Sequence, residues 1–176
     1  TLAADVTSDI DSPPHDKSLV DGYALRTSDL GGANTRFKVL EEVTAGEMPS
    51  CKVTSDSVTR IMTGAAIPEG ADAVVMLEET EARDAGTVLI RRSALPAGSN
   101  IMRRGTSLCR GDTVLEAGAT IRPLEVGLLS EVGRSQVLVQ EVPRVAIVAT
   151  GNELVPSDHR PESGQIRNSN GPMLTA

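Results

Sequence analysis

The spacing of apolar residues changes near residue 120, and that change limits the fold of this chain more than any other feature. Before it, short apolar segments alternate or run unbroken between turn residues, the habit of strands. Phe37–Val43 mixes alternation with apolar content and ends at Ala45-Gly46. Ser57–Met62 alternates with period two, which predicts a half-buried strand. Ala73–Leu77 is a continuous apolar run between a Pro-Glu-Gly turn and three acids, and predicts a buried strand. Thr87–Ile90 follows Asp84-Ala85-Gly86, a hairpin-like signal. After the change, Ile121, Leu124, Leu128 and Val132 fall on one helical face. Pro123 suits the first turn, Glu125 the positive end, and Gly133 the cap.

Further on, Ser135–Val139 reads as a strand. Pro143–Gly151 is an apolar run of the kind found in parallel strands covered on both faces. Ser169-Asn170 is a fair N-cap for a helix starting at Gly171-Pro172. A lone parallel strand cannot bury itself, so the expectation is an α/β domain of which most is missing. At the other end, Leu2, Val6 and Ile10 stand four apart and leave a helix tail or an extended strand both open.

Composition narrows the class. Aromatic residues make up 1% of the chain, so Val, Leu, Ile, Ala and Met must fill any core. Sixteen Gly and ten Pro favour many short strands and turns over a helical bundle. A net charge of −7 argues against general nucleic-acid binding. Cys51 and Cys109 stand far apart and away from both histidines, which excludes a zinc site and leaves a disulfide open. There is neither a long apolar run for a membrane span nor a signal peptide, and a reducing cytoplasm is expected. The opening Thr1-Leu2-Ala3 lacks a start Met and reads as the interior of something longer.

Four groups could carry chemistry. Asp16–Arg26 holds the only tyrosine, Tyr23, directly after Asp21-Gly22; it follows Pro13-Pro14, which cannot be helical. Glycine there would allow a tight turn and the approach of a ligand. In Arg60-Ile61-Met62-Thr63-Gly64 a strand ends in Thr-Gly, offering a hydroxyl and free backbone N–H groups for an oxyanion. Arg103-Arg104-Gly105 is a paired cationic turn suited to phosphate-like groups. Thr150-Gly151-Asn152-Glu153 sits at the carboxyl end of the expected parallel strand, where open α/β sheets bind ligands. Each has a structural alternative: an ordinary turn, a strand end, or arginines paired with surface acids. The chain has no P-loop, nucleophile elbow or zinc helix.

Together these segments resemble the MoeA / gephyrin E-domain family, the molybdopterin molybdenumtransferases. Asp16–Arg26 is similar to the family's Asp-Asn-Ser-Ala-Met-Asp-Gly-Tyr-Ala stretch, and Arg60–Val75 to its Arg-Ile-Met-Thr-Gly-Ala segment with Pro-x-Gly-Ala-Asp. Ile101–Gly105, Pro123–Leu129, Arg144–Leu154 and Gly164–Asn170 follow in the family's order. The resemblance implies a mixed α/β, mainly β chain: a partial linker domain over 1–15 and 119–143, a β-rich irregular domain over 16–118, and the first strand and helix start of a truncated, MogA-like α/β domain over 144–176. It implies insertion of molybdenum from molybdate into adenylylated molybdopterin, with Mg²⁺, by a cytoplasmic homodimer, and a possible molybdopterin adenylyltransferase partner.

On matching positions, the resemblance gives Asp21, Thr63 and Glu153 catalytic roles, with Asp21 and Glu153 on the metal. It leaves Arg60, Gly64, Arg103 and Arg104 to hold the substrate's anionic groups. Thr106-Ser107 replaces the family's usual Glu-Asp, Lys17 its Asn, and Asn152 a frequent Asp. The resemblance also implies a first long helix, the rest of the α/β domain with its glycine-rich loop and a C-terminal barrel that this stretch lacks, so the fragment alone is expected to be inactive. A non-catalytic scaffold of the same fold, or a small oxyanion sensor, remains open.

Overall fold

The computed structural model describes residues 1–32, 34–84 and 86–176, with Asp84 described by its backbone only. The chain divides into two compact units, Thr1–Val139 and Gln140–Ala176.

The first unit opens with β1 (Val6–Thr7), β2 (Lys17–Ser18) and β3 (Gly22–Leu25). Then come β4 (Thr35–Val43), β5 (Ser57–Ile61), β6 (Ala73–Met76), β7 (Thr80–Asp84) and β8 (Thr87–Ile90), and finally β9 (Ile101–Met102), β10 (Thr113–Leu115) and the helix α1 (Pro123–Glu131). Six of the strands form a mixed sheet in the order β6-β3-β5-β4-β8-β7. β4 and β5 run parallel, and the remaining neighbours are antiparallel. The hairpin signal partly lies outside the described residues, at Ala85, but its flanks do pair: Thr80 faces Ile90 and Ala82 faces Val88.

Both faces of this sheet are covered. Tyr23, Leu25, Phe37, Val58, Val75 and Val88 pack on one face, and Ala24, Val43, Ile61, Val74 and Ile101 on the other. β5 is therefore not half-buried as its alternation predicts: Ser57, Val58, Thr59 and Ile61 are all buried, because the strand lies between β3 and β4 under two apolar layers. The buried run at β6 is as expected. Its outer edge is closed by Ser99 and Asn100, with the Val74 N–H donating to Ser99 O (3.0 Å) and the Asn100 side-chain Nδ2 to Val74 O (2.9 Å). The opposite edge carries ion pairs of Glu81 with Arg83 and Arg91, a charged margin that discourages strand addition.

A smaller core joins the start of the chain to α1. Leu2, Val6, Leu129 and Val132 are buried there, with β1 paired to β10. The residues four apart thus take the extended alternative: Val6 is in a strand, Leu2 in a bridge, and Ile10 is 41% exposed. α1 forms as expected, with Glu125 accepting the Arg122 N–H (2.8 Å) and guanidinium. The side-chain hydrogen bonds from Arg122 outweigh partial desolvation and lower the Glu125 carboxyl to a pKa of about 2. The buried face differs from the expected one, since Leu129 turns inward while Leu124 is 81% exposed. Gly133 adopts φ +70° and ends the helix.

Ser135–Val139 is not a strand among the described residues, apart from a single bridge between Val139 and Leu2. Nor is Pro143–Gly151, the expected first strand of the α/β domain: Val145 and Val148 are exposed. An extended segment becomes a strand only where a neighbour meets its N–H and C=O groups, and no neighbouring strand pairs with this one among the described residues. The second unit instead holds a short parallel pair, β11 (Leu154–Val155) with β12 (Ile166–Arg167), and the helix α2 (Asn170–Thr175). Ser169 makes no side-chain cap; Asn168 Oδ1 accepts the Gly171 N–H instead (2.9 Å).

Candidate functional site

Asp21 immediately precedes the central strand β3, and Thr63 follows β5, which is antiparallel to it. The pairing of Gly22 with Ile61 therefore carries the end of one strand beside the start of the other. Both the backbone N–H and the hydroxyl of Thr63 donate to Asp21 Oδ1, each at 2.7 Å. Both side chains are exposed. The two Thr63 donors hold the Asp21 carboxyl below its ordinary pKa, against some desolvation and with help from the Arg60 charge.

Much of the backbone around this pair is engaged. Asp21 O accepts the Leu77 N–H (3.0 Å), the Gly64 N–H donates to Ser18 O (2.8 Å), and the Ala65 N–H to Met62 O (3.0 Å). The turn therefore does not offer the free backbone donors expected of it: Thr63 gives its N–H to a carboxylate, and its neighbours give theirs to carbonyls. Gly64 has φ +86°, the left-handed geometry this tight exit from β5 requires. Gly22 leaves no room for a ligand. A Cβ at this position would overlap the Val75 carbonyl oxygen of β6, so the glycine serves close strand packing.

Arg60 lies across from Tyr23 on β5 and makes a loose contact with Glu42, Nε to Oε2 at 3.4 Å. Arg103 and Arg104 take the structural alternative. Arg103 Nη1 meets Asp16 Oδ2 at 2.5 Å, the Arg104 N–H meets Asp16 Oδ1 at 2.8 Å, and Arg104 Nε meets Asp11 Oδ2 at 2.5 Å. Desolvation pushes Asp16 up, but the Arg104 N–H and the Arg103 guanidinium bring it below its ordinary value. Asp11 is lowered by the Arg110 N–H and then by Arg104. This cluster ties residues 11–16 to 103–110, and both arginines keep more than half of their side chains exposed. Thr106 Oγ1 caps the same turn at Arg103 O (2.6 Å).

In the second unit, Glu153 is exposed, and its carbonyl accepts the Ile166 N–H beside the β11–β12 pair (2.8 Å). Its carboxylate folds over Gly151, where a Cβ would obstruct it. Thr150 lines a cavity of about 290 Å³ with Ile147, Leu154, Asn168 and Leu174. Cys51 and Cys109 are free thiols. No three His, Cys, Asp or Glu side chains converge as a metal cage among the described residues. No helix described is long and apolar enough to cross a membrane. The row formed by Tyr23, Arg60 and Glu42 had no signal in the sequence, because only strand register sets it side by side.

A family model described as the MoeA N-terminal region (domain I and II) matches residues 1–133. Over 180 residues the chain is 42% identical to the molybdopterin molybdenumtransferase of Staphylococcus aureus (strain MSSA476), covering 99% of this chain and 42% of that protein. It is 38% identical to the protein of the same name from Staphylococcus epidermidis (strain ATCC 35984), again covering 42% of the relative. The chain thus spans about two fifths of the length of these relatives. The crystal structure of a molybdopterin biosynthesis MoeA protein from Pyrococcus horikosii superposes on 98% of the chain and 45% of its own length, with TM-score 0.86 and 37% identity. The order of its motifs, its curled β-rich sheet and these relatives together place the chain in the MoeA family, to whose N-terminal region it corresponds.

Proposed function

We propose that this chain supplies one part of the site at which a molybdopterin molybdenumtransferase inserts molybdenum from molybdate into adenylylated molybdopterin, releasing AMP. The observation that carries this reading is the Asp21–Thr63 pair: two exposed polar side chains, 42 residues apart in sequence, held together by two short hydrogen bonds. Names of relatives support the substrate class.

Asp21 fits a hard divalent cation. Thr63 occupies Oδ1 twice, while Oδ2 receives no hydrogen bond among the described residues. Mg²⁺ keeps an oxygen shell and often takes only one or two carboxylates, with substrate phosphates completing it, so a preformed cage is not needed. Asp21 would hold it, and the ion would neutralise phosphate charge. Thr63 fixes the orientation of Asp21 and keeps it ionised. Arg60 adds positive potential beside it, and Arg103 and Arg104 offer their exposed edges to an anionic substrate. Work as a homodimer in the cytoplasm, with an adenylyltransferase handing over the adenylylated substrate, belongs to the same proposal.

The test is Asp21→Asn in the protein at the full length of its relatives, measuring AMP released from adenylylated molybdopterin on adding molybdate. Release should fall at least ~100-fold, the scale of losing a group that acts in the transition state. A variant that releases AMP at the unmodified rate would overturn the role of Asp21, whereas an unmodified protein that releases none would establish the scaffold reading, which Thr106-Ser107 in place of the family's acidic pair favours.

A further inference from the structure

Strand register aligns a phenol, a guanidinium and a carboxylate across three neighbouring strands: Tyr23 of β3 faces Arg60 of β5, and Arg60 faces Glu42 of β4. They floor a cleft of about 200 Å³, walled by Val39, Ala82 and Thr87. The register irregularity of β4 between Val39 and Glu42 puts both residues on the cleft, although odd and even positions of a regular strand point to opposite faces.

The polar groups here are underused. Arg60 Nε is buried and makes no hydrogen bond, since its approach to Glu42 at 3.4 Å lacks hydrogen-bond geometry. The Tyr23 ring is buried, and no hydrogen bond to its hydroxyl is made within the described residues. A guanidinium carries five N–H donors in a rigid fork suited to oxyanions. The carboxylate beside it sets a second condition. A fully deprotonated oxyanion would meet like charge at Glu42, whereas one that keeps a proton can donate its O–H to Glu42 while its other oxygens face Arg60.

We propose that this cleft binds a protonated oxyanion, the monoanion of phosphate or of a phosphomonoester, with Arg60 meeting the charge, Tyr23 donating its hydroxyl and Glu42 accepting the ligand's O–H. The cleft shares Arg60 with the site proposed above and is set apart from it by Tyr23 and Glu42, which that reading does not use. It selects by proton count: phosphomonoesters lose their second proton near pH 6, and sulfate has none to donate at any pH used here.

The experiment is titration of the 176-residue chain with inorganic phosphate, methyl phosphate, sulfate and molybdate at pH 5.5 and pH 8, followed through the amide resonances of Tyr23, Arg60 and Thr87. At pH 5.5 phosphate and methyl phosphate should each bind at least ~10-fold more tightly than sulfate; methyl phosphate, which has lost its last proton by pH 8, should weaken ~10-fold there, whereas inorganic phosphate, whose dianion keeps one O–H, should weaken less. Exclusion of methyl phosphate with phosphate still preferred over sulfate indicates the free ion and also supports the site. Glu42→Gln should erase the preference for phosphate over sulfate, and Arg60→Met should abolish both. Equal affinities for phosphate and sulfate in the unmodified chain, or no shifts at 10 mM phosphate, would overturn the proposal. Should Arg60→Met not fold, the Glu42→Gln selectivity ratio decides alone.

Discussion

Asp21 and Thr63 show how two exposed residues become a defined unit. An exposed aspartate ordinarily samples several rotamers; here one oxygen accepts both donors of a single residue, and the carboxyl is lowered in consequence. A carboxyl with a depressed folded-state pKa adds stability that is present above its unfolded value of about 3.9 and lost as pH falls through the folded one. Thr63→Val removes the hydroxyl donor and keeps the N–H, so the Asp21 titration midpoint should rise toward the ordinary value, while Thr63→Ser should leave it in place. Carboxyl ¹³C shifts between pH 2 and 6 measure both; an unmoved midpoint in Thr63→Val would mean the hydroxyl does not act on Asp21. At this scale the sequence marked the right residue types but not their partners. The Thr63 hydroxyl and the carboxyl of Asp21 were both legible, whereas the engagement of the Thr63, Gly64 and Ala65 N–H groups, and the pairing of Arg103 and Arg104 with Asp16 and Asp11, depend on which loops meet.

Among the elements, β3 carries the most constraint. Its four residues are all buried, and it pairs with β5 on one side and β6 on the other. Gly22 stands where β6 approaches closely enough that a Cβ would overlap the Val75 carbonyl. Because backbone on both strands is fixed by its ladder, neither side can yield cheaply. Gly22→Ala should therefore destabilise by about 3 kcal/mol or more, the upper end of overpacking costs. In a chain of this size that lowers Tm by about 6–12 °C. Calorimetry checks it, and a variant that melts with the unmodified protein would show that the strands part easily. Strand existence was readable from pattern at β4, β5, β6 and β8. Burial was not: a period of two cannot tell a strand with one wet face from a central strand whose polar positions, Ser57 and Thr59, are enclosed. For α1 the spacing located the helix, but the face it buries was decided by where Leu2 and Val6 pack.

At the scale of the whole molecule, the chain divides into two units, and the second opens with a stretch, Gln140 to Gly151, that forms no strand or helix. Exposed backbone outside any strand or helix fits a protease cleft, and Arg144 lies within it. Brief trypsin treatment should cut first at Arg144, leaving a product of residues 1–144 whose β3 and β5 amides still exchange slowly. First cleavage at Arg60 or Arg36 instead would mean that the first unit opens as readily as this stretch. By itself, the sequence determined the family and the mainly β character, because motifs and hydrophobic period are local properties. Only the tertiary structure decided that Pro143–Gly151 is no strand, that Gly22 packs against backbone, and that Tyr23, Arg60 and Glu42 form a row. Hydrogen-bond partners and cross-strand neighbours are supplied by distant parts of the chain, and no window of sequence contains them.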